Sequence, residues 1–211
     1  MLIIGAKGFA KEVLEILHQN GQTENLCFYD DVNVDLPGKL FGQFPILRTI
    51  EEAETYFSQT SNQFVLGIGN PFLRKKLCDK FESIGGELST VISKNAEIGS
   101  FRIQISSGCN ILSGVKISND VAIGKGTMAY YNSVITHDVT IGEFCEISPS
   151  VNLLGRVHIG NFVSIGAGSI IFPDVTIGDN VVIAAGAVVR KNVPPNVMVA
   201  GIPAVVKKEL I

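Results

Sequence analysis

From Ile105 onward the chain repeats with a period of six. Counting in sixes gives Ile105, Ile111, Ile117, Ile123, Ala129, Ile135, Ile141, Ile147, Leu153, Ile159, Ile165, Ile171, Ile177, Ile183 and Val189. Fourteen of these fifteen positions are Ile, Leu or Val, and no residue is inserted or lost between the first and the last. Two residues before the aliphatic stands a small or β-branched side chain, as in Val121, Val139, Cys145, Val151, Val157, Val163, Ser169, Val175 and Val181. Gly follows the aliphatic at positions 124, 142, 160, 166 and 178. A hexapeptide repeat sustained over this length predicts a parallel β-helix. Each unit forms one flat side of a triangular coil, and each aliphatic points inward onto its equivalent 18 residues away. The Gly and small residues are expected to let the corners bend. Such units make about five coils, each rising roughly 4.8 Å. Buried aliphatics at roughly 1.5–3 kcal/mol apiece give the prism a sufficient core.

The preceding ninety or so residues follow another pattern. Leu2-Ile3-Ile4 reads as a short buried strand, followed by a Gly-rich turn and a helix from Ala10 to Gln19 with Val13, Leu14, Ile16 and Leu17 on one face. Leu26 to Tyr29 reads as a second strand, and Thr49 to Phe57 as a helix whose N-cap Thr49 is followed three residues on by Glu52. Phe64 to Ile68 is a third strand. Asn70-Pro71 opens a helix to about Ile84, with Pro at its first position, and Leu88 to Ile92 is a last strand. Alternating strands and helices predict a parallel sheet. The expected organisation is an α/β Rossmann-like domain over residues 1–90 and an all-β parallel β-helix with a C-terminal tail over 91–211.

Composition narrows the function classes. Hydrophobic residues make up 46% and charged residues 18%, which argues against disorder. The formal net charge is −3 and no basic stripe is present, so nucleic-acid binding is not expected. No apolar run approaches a membrane span, and Met1 to Gly5 lacks the charged start of a signal peptide. Cys27, Cys78, Cys109 and Cys145 form no CxxC, so they read as reduced thiols in a cytoplasmic protein, with no metal site suggested.

Three histidines could carry chemistry. His18 falls near the end of the first helix and His158 just before an inward Ile, facing out. His137 lies in Thr136-His137-Asp138-Val139-Thr140-Ile141-Gly142-Glu143, midway along the prism. Acyl transfer to an amine or hydroxyl needs a base near neutral pH, for which histidine is suited. Asp138 would fix the imidazole tautomer, as the acid does in a triad. Adjacent strand residues point to opposite faces, so Asp138 reaches His137 only where the chain bends.

Gly5-Ala6-Lys7-Gly8-Phe9-Ala10 joins a strand to a helix, where backbone N–H groups favour an anion. Asp30-Asp31 ends the second strand, about where an acidic residue meets ribose or base. Gly67-Ile68-Gly69-Asn70 ends the third strand beside the same crevice. Beyond Asn192 the prolines and Gly201 are expected to form a rigid extended exit.

Taken together, Gly5-Ala6-Lys7-Gly8, Tyr29-Asp30-Asp31, Ile68-Gly69-Asn70 with Arg74-Lys75-Lys76, His137-Asp138 before Ile141-Gly142-Glu143-Phe144, and Gly201-Ile202-Pro203-Ala204 resemble the bacterial nucleotide-sugar acetyltransferases of the NeuD/PglD type. The resemblance implies left-handed coils, a homotrimer, and acetyl-CoA in a groove between adjacent prisms. It implies that His137 is the base and Asp138 its acidic companion. Lys7, Gly8 and Phe9 would match the phosphate turn, and Asp30, Asp31 and Gly69 the nucleotide contacts. Ala167 and Ala185 would meet the pantetheine arm, Glu146 would lie near the acetyl-CoA, and Gly201 and Pro203 would match the CoA-end tail. Family members often carry His at Glu146, Asn at Tyr130 and His at Phe9.

The expected reaction is acetyl-CoA-dependent N-acetylation of a nucleotide-linked amino sugar in bacterial surface-glycan biosynthesis. Sugar O-acetylation, as on sialic acid, would use the same base, and a non-catalytic nucleotide-sugar scaffold would leave His137 incidental. An NAD-linked oxidoreductase fails on size, because the second half offers only a prism.

Overall fold

In the computed structural model residues 1–210 are described, and Ile211, the end of the second expected domain, lies outside the described residues. The chain divides into two compact units, Met1–Val91 and Ile92–Ile211.

The first unit runs β1 (Leu2–Ile4), α1 (Gly8–Gln19), β2 (Cys27–Tyr29), β3 (Lys39–Leu40), β4 (Phe44–Leu47), α2 (Ile50–Gln59), β5 (Gln63–Leu66), α3 (Pro71–Ser83) and β6 (Glu87–Leu88). The sheet order is β3-β4-β2-β1-β5-β6, and every pairing is parallel except β3 with β4. The chain works outward from β1 through β2 and β4, then returns to the other side of β1 as β5. That reversal makes the carboxyl ends of β1 and β5 a topological switch point, the crevice where doubly wound sheets bind ligands.

Local chemistry explains the helices. Phe9, Ala10, Val13, Leu14, Ile16 and Leu17 form the buried stripe of α1. Thr49 and Glu52 close a reciprocal capping box at α2, and the Asn70 side chain accepts from Leu73 N at 2.9 Å where Pro71 opens α3. The β3–β4 hairpin has no counterpart in the sequence reading. Pro45 inside β4 disguises it; Ile46 N donates toward β3, to Gly38 O at 3.0 Å, so the proline nitrogen faces the β2 side, where pairing begins only at Phe28 opposite Ile46.

Every position of the six-residue count, from Ile105 to Val189, closes a two-residue strand of the second unit. These rungs stack into three parallel faces. The first face carries Val91–Ile92, Asn110–Ile111, Met128–Ala129, Glu146–Ile147, Ser164–Ile165 and Val182–Ile183. The second carries Glu97–Ile98, Lys116–Ile117, Val134–Ile135, Asn152–Leu153, Ile170–Ile171 and Val188–Val189. The third carries Gln104–Ile105, Ala122–Ile123, Thr140–Ile141, His158–Ile159 and Thr176–Ile177. Within the count, successive rungs of a face pair 18 residues apart, as in Ile117 with Ile135 and Leu153 with Ile171.

The corners bend differently from the expectation. Left-handed φ values recur every sixth residue, at Asp120 (58°), Asn132 (59°), Asp138 (60°), Phe144 (51°), Ser150 (60°), Arg156 (62°), Phe162 (56°), Asp174 (64°) and Asn180 (55°). The bend is therefore made at the third residue after the aliphatic, mostly without glycine. The glycines directly after the aliphatic supply room instead: a Cβ on Gly142 would stand 2.5 Å from the Gly160 carbonyl oxygen of the next coil. The residues two before the aliphatic are not corner residues either. Val139, Val151, Val157 and Val163 are fully buried and form a second inward column.

Three further differences concern boundaries. The expected strand Leu88 to Ile92 is split: β6 completes the α/β sheet and Val91–Ile92 opens the prism. Two rungs precede the count because seven residues, not six, separate Ile98 from Ile105, and the extra residue leaves Phe101 exposed. The tail does not simply exit. Val193 bridges to Ile177, Val197–Gly201 joins the first face beside Val182–Ile183, and Ala204–Glu209 folds back antiparallel. Val193, Val197 and Val199 are buried, and they close a core end that would otherwise face water.

Candidate active site

His137 sits on the edge between the second and third faces, after the rung Val134–Ile135. The next residue, Asp138, is the left-handed corner at φ 60°. That conformation turns two neighbours that would diverge on a strand toward one side. Their side chains meet with Nδ1 of His137 2.7 Å from Oδ2 of Asp138, both about half exposed. With the Nδ1 proton held by the carboxylate, Nε2 is left as the proton acceptor. The backbone is tied on both sides: Asp138 N donates to Asn119 O at 3.3 Å and Arg156 N donates to His137 O at 3.1 Å.

The corner column above and below His137 is charged. Arg102 pairs with Asp120 at 2.6 Å, and Arg156 pairs with Asp174 through Nε (2.6 Å) and Nη2 (2.9 Å). Hydrogen bonding to Arg156 holds the Asp174 carboxyl below its ordinary value. Arg156 is thus turned to Asp174, and Asp138 is left to the imidazole. A groove of about 530 Å³ runs along the second face to His137, past Lys116, Asn119 and Thr136.

In the first unit, Gly5 takes φ 98° and donates to Tyr29 O at 2.7 Å, while Lys7 N-caps α1 and Gly8 begins it. The crevice there encloses about 200 Å³ between Gly5, Ile68 and the segment Asp30 to Asn33. Of the expected contacts, Lys7 is half exposed and pairs with Asp35 at 3.4 Å. The Phe9 side chain is buried in the core, so only its backbone can face a ligand. Asp30 is buried and its carboxylate is occupied: it accepts from Ala6 N (3.2 Å), Val32 N (3.2 Å), Asn33 N (2.9 Å) and Asn33 Nδ2 (2.9 Å). It builds the crevice and is no free contact. Asp31 is the available acid, joined to the Tyr29 hydroxyl at 2.8 Å and to Lys80 at 3.3 Å. Gly69 stands at the same strand end, its carbonyl accepting from Arg74, whose side chain is fully buried.

The expected acetyl-CoA contacts lie elsewhere on the prism. Ala167 and Ala185 are exposed on the edge between the first and second faces, and Glu146 is half-buried on the first face with Ser148 Oγ 3.4 Å from its Oε1. Gly201 (φ 107°) and Pro203 are exposed in the turn before the last strand. None of these shares an edge with His137. Sequence reasoning missed Arg48, Lys80 and Gly155. Only Gly155 carried a legible cue, as the residue one coil after His137.

Among the described residues no cluster of three potential metal-binding side chains occurs, and no helix is long and apolar enough to cross a membrane. Residues 1–81 match the family described as PglD N-terminal domain, and residues 156–191 match bacterial transferase hexapeptide (six repeats). Perosamine N-acetyltransferase from Caulobacter crescentus, solved with CoA and GDP-perosamine, superposes with a TM-score of 0.91 at 29% identity, covering 99% of this chain and 96% of that one. PerB from the same bacterium, with the same ligands, matches at 30% identity and TM-score 0.90 over 98% of this chain and 96% of its own. The acetyltransferase domain of PglB from Neisseria gonorrhoeae, in complex with acetyl coenzyme A, matches at 25% identity and TM-score 0.86, with 98% of each chain covered. With the α/β unit, the hexapeptide prism and these likenesses extending over nearly the whole length, the chain belongs to the NeuD/PglD-type sugar acetyltransferases of the hexapeptide-repeat, left-handed β-helix superfamily.

Proposed function

We propose that this acyltransferase moves the acetyl group of acetyl-CoA onto the amine of a nucleotide-linked amino sugar, with His137 as general base. The observation that carries the assignment is the 2.7 Å contact between Nδ1 of His137 and the Asp138 carboxylate, made at a corner bordering a groove. Nε2 of His137 takes the proton from the sugar nitrogen as that nitrogen bonds to the thioester carbon. It returns the proton to sulfur as the carbon–sulfur bond breaks. Asp138 holds the tautomer and balances the transient imidazolium. Coil N–H groups serve the developing oxyanion, a role worth about 2.7–4 kcal/mol per donor.

The crevice at the head of α1 takes the diphosphate, with Lys7 and Gly8 at the turn and Asp31 toward the base or ribose. Ala167 and Ala185 do not share an edge with His137, so a complete site needs a neighbouring copy. A homotrimer supplies one, its pantetheine groove running between adjacent prisms. On the second face the outward residues Val134, Ile170 and Val188 stand among Glu97, Lys116 and Asn152, whereas the third carries Gln104, Ala122, Thr140, His158 and Thr176. Both substrates are cytoplasmic metabolites, and we assign the reaction to bacterial surface-glycan biosynthesis.

The test is His137→Ala, assayed with UDP-, GDP- and TDP-linked amino sugars beside free sugars. Turnover should fall by about a hundredfold or more while acetyl-CoA still binds by calorimetry. Turnover within about tenfold of wild type sinks the assignment of the base. Acceptance of a sugar hydroxyl in place of the amine sinks the assignment of the acceptor.

A further inference from the structure

The segment that leaves β2, residues 30–37, has no regular secondary structure, yet two charged side chains hold it. On one side is the Asp30 carboxylate with its backbone and Asn33 donors. On the other is Arg48. Because β2 and β4 run parallel with Tyr29 opposite Leu47, Arg48 leaves the sheet beside Asp30. Its Nη1 donates to the carbonyls of Asp30 (3.0 Å) and Asn33 (2.9 Å), and its Nη2 to those of Leu36 (2.7 Å) and Pro37 (3.4 Å). The Arg48 backbone is itself anchored, its N–H donating to Glu52 Oε2 at 2.5 Å within the α2 cap.

We propose that Arg48 is the positioning residue that preforms the nucleotide wall of the crevice; this rests on the nucleotide-sugar reading above. Asp31, Val32 and Asn33 form that wall, facing Gly5 and Ile68. Val32 is 78% exposed, and it extends the apolar lining of Ile4, Ile68, Leu73 and Leu77 beside the polar edge of Asp31 and Asn33. The ligand it suits is a nucleoside diphosphate, with the base on Val32 and the phosphates at the α1 turn. A planar guanidinium can serve four carbonyls at once, whereas a lysine ammonium offers three donors from one point. Without the clamp, the cost of ordering residues 30–37 falls on ligand binding. Arg48 does not touch the reacting atoms; it acts through the segment that it holds.

The experiment is calorimetry on the full-length protein with UDP, GDP, TDP and acetyl-CoA, for wild type, Arg48→Ala and Arg48→Lys. Wild type binds at least one of the three nucleotides. Both variants should bind that nucleotide about tenfold more weakly or worse, with acetyl-CoA affinity held within about twofold. In turnover, KM for the nucleotide sugar should rise by a larger factor than kcat falls. Wild-type nucleotide affinity in Arg48→Lys overturns the proposal and leaves the nucleotide reading intact. An equal loss of acetyl-CoA affinity in both variants overturns it as well, because the residue would then serve the whole fold. Failure of wild type to bind any of the three nucleotides overturns the nucleotide reading together with the proposal.

Discussion

The imidazole of His137 lies over the bare Cα of Gly155, its counterpart one coil later: a Cβ built there would stand 2.6 Å from Cε1 and 2.8 Å from Nε2. The ring keeps its pose on Asp138 because nothing occupies that space. Gly155→Ala should push the ring off its seat and cut kcat by about a hundredfold, approaching the loss expected of His137→Ala, without loss of acetyl-CoA binding. Steady-state kinetics beside calorimetry check this. A variant with nearly wild-type kcat would show that the seat is not needed.

Asp138 has two jobs, bending the corner and holding the imidazole, and substitutions separate them. Asn tolerates left-handed φ, so Asp138→Asn should melt close to wild type while kcat drops about tenfold to a thousandfold. Asp138→Val, β-branched at φ 60°, should also destabilise the fold by about 1–2 kcal/mol. Thermal melts paired with kinetics distinguish the two.

The Arg156–Asp174 pair keeps a cation from competing for Asp138. Asp174→Asn should release Arg156 toward Asp138 and lower kcat about threefold to fivefold, the reach of a screened surface pair. Arg156→Ala placed in that background should restore the rate. Additive losses in the double variant would contradict this account.

Glycines with different duties should respond differently to the same change. Gly168 has φ 70° and open space around it, so Gly168→Asn should cost less than about 0.5 kcal/mol. Gly142→Asn meets the Gly160 carbonyl and should cost at least about 2 kcal/mol. Denaturant melts give both values.

Asp31 should report on its neighbours as it titrates. Burial works to raise its carboxyl, but hydrogen bonds from the Tyr29 hydroxyl and Lys80 outweigh it and hold the group below its ordinary value. A lowered carboxyl stabilises the fold above its unfolded value, about 4, and that contribution is lost as pH falls through the folded value. Lys80→Ala should move the Asp31 titration upward in carbon-13 NMR. It should cost about 0.5 kcal/mol at neutral pH after solvent screening, a gap that closes as pH falls through the lowered folded value.

Legibility followed the range of the forces involved. The capping box at Thr49 and Glu52, the Pro71 start of α3 and the stripe of α1 were plain in the sequence because each is set within one or two helical turns. The β3–β4 hairpin and the rung Val197–Gly201 were hidden, because each exists only through a partner strand the local pattern does not name. Asp30 shows the same limit at the candidate site. As one of two adjacent acids it reads as a ligand contact, but the fold brings Ala6 N and Asn33 to its carboxylate.

By itself the sequence determined the prism, since a six-residue spacing of aliphatics has one way to bury them all, and it singled out His137 and Asp138. Only the tertiary structure decided that these two side chains meet, that Gly155 leaves the ring its space, and that Arg48 reaches across to the chain leaving β2. The physical reason is that burial is written in the period of side chains along the chain. Hydrogen bonds and close approaches instead depend on which backbone atoms a coil or a sheet sets side by side.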